Sequence, residues 1–319
     1  MVVGIIFGIL ACMIWGAVYI APLLVPTYDP AVLATGRYVI FGMLSVGLAL
    51  SQFKEFRHYK IADWYQALLL GVIGNILAMC VKYSGAPIAG AFTAMIPILV
   101  AIIGNSQEKA PERRVAWSSL VIPLSMIMVG MVCLNGTEFF YLVGSGRVSS
   151  SDFWIGVAFG AVSLFVWTWY PLKNAAWLQA NPARSPRSWA SAQGVALFPA
   201  ALSLLAYFWW SAPAETGFFG DEPTKFILIC VGLGIVCSWV GIALWNQMSL
   251  RLPRALGGQM IIFETIFAVI YAHIWRESWP SLLMTVGMTF LLVGIALAMR
   301  VFRRAREKVH VEVANSEAQ

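Results

Sequence analysis

The chain has 319 residues, of which 60% are hydrophobic and only 11% are charged. A soluble globular protein carries about a quarter of its residues as charged ones, so this composition excludes an ordinary soluble domain. The net charge of +6 comes from Lys and Arg in short connections between apolar runs, which is typical of membrane anchoring and not of nucleic-acid binding.

Ten apolar runs follow one another along the chain, each long enough to cross a bilayer as a helix. They predict an all-α polytopic membrane protein with ten transmembrane helices. The first run lacks the basic segment of a signal peptide, so we expect it to be retained. The predicted spans are roughly 2–23, 31–50, 63–81, 86–104, 115–134, 153–172, 189–210, 225–249, 255–275 and 281–300.

The positive charges predict the orientation of these spans. Sixteen Lys and Arg residues fall in one set of connections and four in the other set. Cytoplasmic connections are enriched in Lys and Arg, so both termini are predicted to be cytoplasmic, in a bacterial inner (plasma) membrane. Residues 301–319 turn polar and charged, and we expect a frayed cytoplasmic tail there.

The two halves of the chain repeat each other. GIIFG at Gly4–Gly8 leads to Trp15, and GVAFG at Gly156–Gly160 leads to Trp167. Each half has five spans, an odd number, so the second half enters the membrane from the opposite side. Inverted repeats of this kind are typical of secondary transporters, whose substrate site lies near the midplane. The predicted units are a first repeat 1–135, a periplasmic connection 136–152, a second repeat 153–300 and the tail 301–319.

These features together resemble a known family. The GxxFG…W openings, the pair Arg37-Tyr38 early in the second span and the stretch from Pro97 to Glu108 resemble the EamA-type branch of the drug/metabolite transporter superfamily. The segment ALWNQMSL, 243–250, is also similar to the YddG-like aromatic amino acid exporters of that superfamily. The resemblance covers about 2–300.

The resemblance implies a function and a site. It implies export of amino acids, aromatic ones included, or of related small metabolites, without ATP. It also implies a central cavity lined by spans 1, 3, 4, 6, 8 and 9. Members usually carry a proline in span nine where this chain has Glu264-Thr265, and this departure bears on the substrate.

Glu264 is the only acidic residue near the centre of a predicted span. A charge there costs about 3 kcal/mol on insertion scales, so it must be protonated, paired or exposed to a wet cavity. We predict that it binds a substrate ammonium or takes up a proton during transport; the alternative is a neutral acid hydrogen-bonded inside the bundle. Arg37, the only basic residue inside a span, either binds a substrate carboxylate or serves the structure by snorkelling or pairing with a carbonyl.

Aromatic side chains are the next candidates. Most of the fourteen tryptophans fit the aromatic belts at the membrane surfaces. Trp15 and Trp167 recur midway along corresponding helices, and we predict that they line the cavity with Tyr19 and Trp245. Such rings could stack on an aromatic or cationic substrate.

Two amides and one kink complete the predicted binding residues. Asn75 and Asn246 lie inside spans, where amides either contact substrate or join helices. Pro97 removes the backbone hydrogen bond to the carbonyl of Thr93. We predict that this carbonyl makes a polar contact beside the cavity, unless the proline only bends the helix.

Other chemistry finds little support in the sequence. There is no P-loop, GxSxG or HExxH motif, no CxxC pair among the five cysteines, and the three histidines are scattered. We therefore predict no enzyme activity, cofactor or metal, and a small-molecule substrate and membrane lipids as the only partners, with a monomer as a reasonable state. The alternatives are a transporter of phosphorylated or nucleotide-sugar compounds, a drug or amine exporter, and a membrane enzyme or receptor.

Overall fold

The computed structural model describes residues 1–71, 80, 83, 86–108, 114–144, 150–212, 218–275, 277 and 279–317. Within these residues the secondary structure is helical, without β-strands. The long helices are α1 (Val2–Leu24), α2 (Pro30–Ser51), α3 (Ile61–Gly71), α4 (Ala86–Ser106), α5 (Trp117–Gly144), α6 (Ser150–Ala180), α7 (Pro186–Trp210), α8 (Pro223–Arg251), α9 (Arg254–Trp275) and α10 (Leu282–Glu317).

The predicted all-α polytopic membrane fold is confirmed. Eight of these helices are long and apolar enough to cross a membrane. The described part of α4 adds a shorter apolar segment, Met95–Ser106, and α3 is described only as far as Gly71, within the third predicted span. The helix order is consistent with the predicted count of ten.

The second and seventh helices begin in the same way. The Asp29 side chain accepts a 2.8 Å hydrogen bond from the amide of Ala31, and Pro30 is the first residue of α2. In the other half the Ser185 hydroxyl accepts from the amide of Ser188, and Pro186 opens α7. A polar cap followed by proline satisfies the free amides of a first turn and presets its backbone, so both entrances follow from local sequence.

Glycines on the opening helices show how the halves pack. A Cβ added to Gly8 of α1 would meet Met248 of α8 and Met260 of α9 within 3.0 Å. A Cβ added to Gly160 of α6 would meet Phe92 of α4 and Cys80. Each first helix therefore lies between the third and fourth spans of the other half, which is the arrangement that inverted repeats produce.

The remaining helices pair across the same pseudo-symmetry. Helix α2 packs closely on α7, and α5 packs closely on α10. In the second pair the backbones approach closely, because Gly130 of α5 and Gly287 of α10 lie directly against each other. Side chains of α5, α9 and α10 form a separate apolar cluster that includes Ile127, Ile262 and Leu291. The main core lies between α1, α6, α7, α8 and α9.

The ends of the predicted units differ from expectation. Helix α5 continues to Gly144 and α6 begins at Ser150, so much of the predicted connection is helical. The expected fraying of the tail is wrong as far as Glu317, where α10 ends. The tail contains no glycine or proline, and Arg303 pairs with Glu307 at 3.5 Å one turn on, so nothing stops the helix at the membrane surface.

Three neighbouring helices depart from regular α-helix near the middle of the bundle. Helix α1 tightens to a 3₁₀ turn at Ala17–Tyr19, and α8 is π-helical over Leu233–Val240. Helix α9 is interrupted between Gln259 and Ile262. Such irregular backbone is common at functional sites, and in membrane proteins it is tolerated where protein or a cavity supplies the missing partners.

Candidate functional site

Glu264 lies on α9 just after the interruption of that helix. Its carboxylate is within hydrogen-bonding reach of the Tyr19 hydroxyl on α1. Tyr19 keeps 43% of its surface exposed, and Glu264 is partly exposed as well. The structure therefore brings together two of the predicted residues, one on α1 and one on α9.

Arg37 approaches the same place from α2. Its Nε donates a 2.7 Å hydrogen bond to the Ser238 hydroxyl, in the π-helical segment of α8, and its guanidinium lies over the Tyr38 ring. Its charge acts on both Glu264 and Tyr19. The one acid and the one base that the sequence places inside spans therefore lie in the same part of the bundle, among α1, α2, α8 and α9.

The irregular segments of α8 and α9 are held by α1. The Cys12 thiol donates to the carbonyl of Met260 at 3.1 Å, in the interruption of α9. The Trp15 indole N–H donates to the carbonyl of Cys237 at 2.8 Å, in the π-helical segment. Cys12 and Trp15 are three residues apart and share one face of α1, so one helix face bonds to carbonyls in both irregular segments.

Sequence reasoning missed the supporting residues. Cys12, Cys237 and Ser238 sit in apolar runs and carry no motif. The spacing of Cys12 from Trp15 is the only signal that could have singled out one of them.

Comparison with known proteins agrees with this architecture. The sequence model of the EamA-like transporter family matches residues 2–135. The inner membrane protein YtfF of Escherichia coli (strain K12) is 31% identical over 309 residues, which cover 94% of this chain and 96% of that protein. The chain belongs to the EamA-like transporter family. A solved crystal structure superposes on this transporter with a TM-score of 0.72 over 94% of its chain and 98% of the other, at 16% identity, which shows a shared fold.

Family membership establishes the broad class. The protein is a multi-pass membrane transporter of the drug/metabolite superfamily. Its substrate, its coupling and the roles of individual residues are matters for proposal.

The predicted aromatic residues take different positions in this EamA-like transporter. Trp15 and Trp245 are 6% and 1% exposed, and their rings lie 5.0 Å apart, so they pack on each other inside the bundle. Trp167 is partly buried and lies 5.7 Å from Tyr170. The N–H groups of Trp167 and Trp245 find no acceptor within the described part of the chain.

Asn246 lies in a buried amide network of the transporter. Its Oδ1 accepts from the Asn174 amide at 2.8 Å, and its own amide donates to the Pro186 carbonyl at 3.1 Å. Asn174 in turn accepts from Trp189 and Gln193 of α7. This network joins α6, α7 and α8, which fits the interhelical alternative for Asn246.

The predicted residues of spans three and four remain less defined. Asn75 lies outside the described residues. Pro97 is buried and Thr93 is partly buried on α4. One turn beyond Pro97, Val100 packs directly against Gly258 of α9, so this face of α4 adjoins the helix that carries Glu264.

Proposed function

We propose that the protein is a secondary active transporter of a bacterial inner membrane, with both termini in the cytoplasm. It exports amino acids, aromatic ones included, or related small metabolites by alternating access. The observation that carries this proposal is the placement of Glu264 near Arg37 and Tyr19, between α1, α2 and α9. Opposite charges at that place match the two ends of a zwitterion.

The roles follow from the chemistry of each group. An ionised Glu264 accepts hydrogen bonds from a substrate ammonium, and the Tyr19 hydroxyl fixes the direction of that carboxylate. The Arg37 guanidinium is held through Nε by Ser238, which leaves its two terminal nitrogens for a substrate carboxylate. When no substrate is bound, the Tyr19 hydroxyl and the Arg37 charge stabilise an ionised Glu264 in the membrane, and a proton neutralises it. Proton uptake by Glu264 is therefore part of the proposed cycle.

Alternating access requires two arrangements of the halves around this site. Helices α1, α8 and α9 meet at their irregular segments, where a helix bends at low cost. Movement of one half against the other would open the site around Glu264 first to one side of the membrane and then to the other.

The other transporter classes fit these groups less well. A phosphorylated or nucleotide-sugar substrate calls for several basic groups at the site, and Arg37 is the only one inside a predicted span. A simple amine substrate would use Glu264 and leave Arg37 without a role. A membrane enzyme would need a catalytic cluster, and the described residues hold no group of three or more potential metal ligands.

Counterflow in proteoliposomes tests the proposal. The panel contains labelled aromatic, aliphatic and basic amino acids, the matching amines without a carboxylate, and phosphorylated metabolites, each at two pH values. Wild type is expected to exchange one class of amino acid. Glu264→Gln is expected to abolish that exchange, whereas Glu222→Gln, which changes an exposed acid paired with Lys225, is expected to behave as wild type.

A substitution of Arg37 distinguishes an amino acid substrate from an amine substrate in the same assay. Arg37→Gln should raise the half-saturating concentration of the amino acid by about tenfold or more, because a charge-assisted hydrogen bond to the carboxylate is lost. The matching amine should be unaffected. The proposal would be overturned if wild type exchanged none of the amino acids. It would also be overturned if exchange persisted in Glu264→Gln at both pH values.

A further inference from the structure

A cavity of about 400 Å³ opens at the basic end of the bundle. Its walls are the ends of α4 and α6, Phe302 of α10 and the short connection from α8 to α9. A volume of this size accommodates a small metabolite. Arg254 lines the cavity ten residues before Glu264, and neither Glu264 nor Arg37 lines it, so this space is separate from the site around Glu264.

Arg254 is held in place while most of its guanidinium stays available. Its Nε donates to the Gln179 side-chain oxygen at 3.3 Å. The amide of Gln179 donates to the carbonyls of Ser249 and Leu252, both at 3.0 Å, so Gln179 is itself fixed by the end of α8. In the described part of the chain Arg254 makes no other hydrogen bond or ion pair. Its terminal nitrogens therefore remain free for a ligand in the cavity.

The second arginine of the cavity is engaged differently. Arg251 donates to the carbonyl of Gln247 at 2.7 Å and lies over the Phe7 ring at 5.2 Å. It adds positive charge to the wall without presenting an equally free guanidinium. Glu108 also lines the cavity, so both signs of charge occur around it. A partly buried arginine that is clamped on one edge and open on the other is suited to bidentate binding of an oxyanion.

We propose that this cavity is a vestibule in which Arg254 binds the carboxylate of the substrate before the substrate reaches Arg37 and Glu264. The inference rests on the proposed function, because it takes the substrate to be an amino acid and the basic end to be cytoplasmic. It adds a second binding step on the cytoplasmic side. A lipid phosphate carries the same oxyanion chemistry, and the experiment separates the two sources.

Binding to the purified protein in detergent isolates the vestibule from the midplane site. Thermal unfolding is followed by tryptophan fluorescence with L-phenylalanine, L-leucine, L-lysine, phenylethylamine and dihexanoylphosphatidylglycerol as probes. Glu264→Gln serves as the background in which the midplane site is disabled. Arg254→Gln, Arg254→Lys and Arg303→Gln are added to it, the last as a control because Arg303 is exposed and paired with Glu307.

The expected result is that an amino acid which stabilises wild type still stabilises Glu264→Gln. Adding Arg254→Gln should raise its half-saturating concentration about tenfold or more, and Arg303→Gln should not change it. Arg254→Lys keeps the positive charge but loses the bidentate guanidinium, so this variant should bind the amino acid with intermediate strength. Such binding would also show that the loss in Arg254→Gln does not result from misfolding. Phenylethylamine has no carboxylate, so its effect on the thermal midpoint should not change when Arg254→Gln is added.

Three results would overturn the vestibule. The first is an amino acid response that Glu264→Gln alone abolishes, and the second is one that Arg254→Gln leaves intact. The third is an Arg254-dependent response to dihexanoylphosphatidylglycerol alone, which would make the ligand a lipid headgroup. In each case exchange by wild type in the counterflow assay would leave the proposed function standing.

Discussion

The indole N–H of Trp15 donates a 2.8 Å hydrogen bond to the backbone carbonyl of Cys237. This bond joins α1 of the first repeat to the π-helical segment of α8 in the second. Trp167 corresponds to Trp15 in the sequence repeat, yet its buried N–H has no acceptor among the residues described. The two halves therefore share a pattern in sequence and differ in what the matching indoles do.

This difference predicts opposite outcomes for one substitution made in both halves. Trp15→Phe should lower the thermal midpoint, because it removes the buried hydrogen bond to the Cys237 carbonyl at a cost of about 0.5–1.5 kcal/mol. Trp167→Phe removes a polar group that already lacks a partner, so it should be neutral or stabilising. Thermal unfolding of both variants in the same detergent checks the pair. Equal destabilisation would show that the Trp15 bond contributes nothing specific.

The sequence located the charged centre of the site for a physical reason. A charge is costly in a membrane, so Glu264 and Arg37 stand out from apolar surroundings even without a known partner. Their meeting across α2 and α9 was not predictable, because two residues more than 200 positions apart carry no mark of proximity. The role of Asn246 stayed open for the same reason, since its partner Asn174 lies 72 residues away on another helix.

The backbone irregularities were equally hidden. The segment LGIVCSWV at 233–240 is as apolar and β-branched as its neighbours, and nothing in it indicates a π-helix. The conformation is accompanied by bonds from two other helices, those of Trp15 to Cys237 and of Arg37 to Ser238. Helix starts such as Asp29-Pro30 were readable because their causes are local.

The buried amide network predicts coupling between Asn174 and Asn246. Asn174→Ala should lower stability by about 1–3 kcal/mol for each buried partner left unpaired, and Trp189 and Gln193 are both among those partners. Once Asn174 is gone, Asn246→Ala should cost less than it does alone. A double-mutant cycle of thermal or denaturant unfolding measures this interaction. Asn181→Ala is the control, because the Asn181 side chain donates to the nearby Trp177 carbonyl at the end of α6 and joins no second helix. Additive costs for Asn174 and Asn246 would contradict the network.

Two helix glycines predict opposite effects of the same small change. A Cβ at Gly47 of α2 meets nothing within 4 Å, so Gly47→Ala should stabilise the helix by about 0.5–1 kcal/mol. A Cβ at Gly130 of α5 would lie 2.7 Å from the backbone oxygen of Gly287, which cannot move aside alone. Gly130→Ala should therefore separate α5 from α10 and cost about 1–3 kcal/mol. Thermal midpoints of the two variants test this, and a stabilised Gly130→Ala would refute the close α5–α10 packing.

A pH dependence is expected outside the membrane spans, at Tyr59. Burial raises the pKa of Tyr59 to about 12, although its hydrogen bond with Ser188 acts in the opposite direction. An unfolded tyrosine titrates near pH 10, so between about pH 10 and 12 the unfolded state releases a proton that the folded state retains. Stability is therefore fully present below about pH 10 and falls above it, by up to about 1.4 kcal/mol per pH unit.

Tyr59→Phe should remove this part of the alkaline loss. The variant is expected to start from a lower thermal midpoint at pH 8, because the bond to Ser188 is gone, and then to decline less steeply than wild type up to pH 11. Tyr65→Phe is the matched control, since Tyr65 lies in the neighbouring helix α3 with 62% of its surface exposed. Thermal midpoints are measured at intervals of half a pH unit, and the test compares the slope of the midpoint against pH, not its absolute value. Parallel curves of midpoint against pH for wild type and Tyr59→Phe would show that the buried Tyr59 phenol does not cause the loss of stability at high pH.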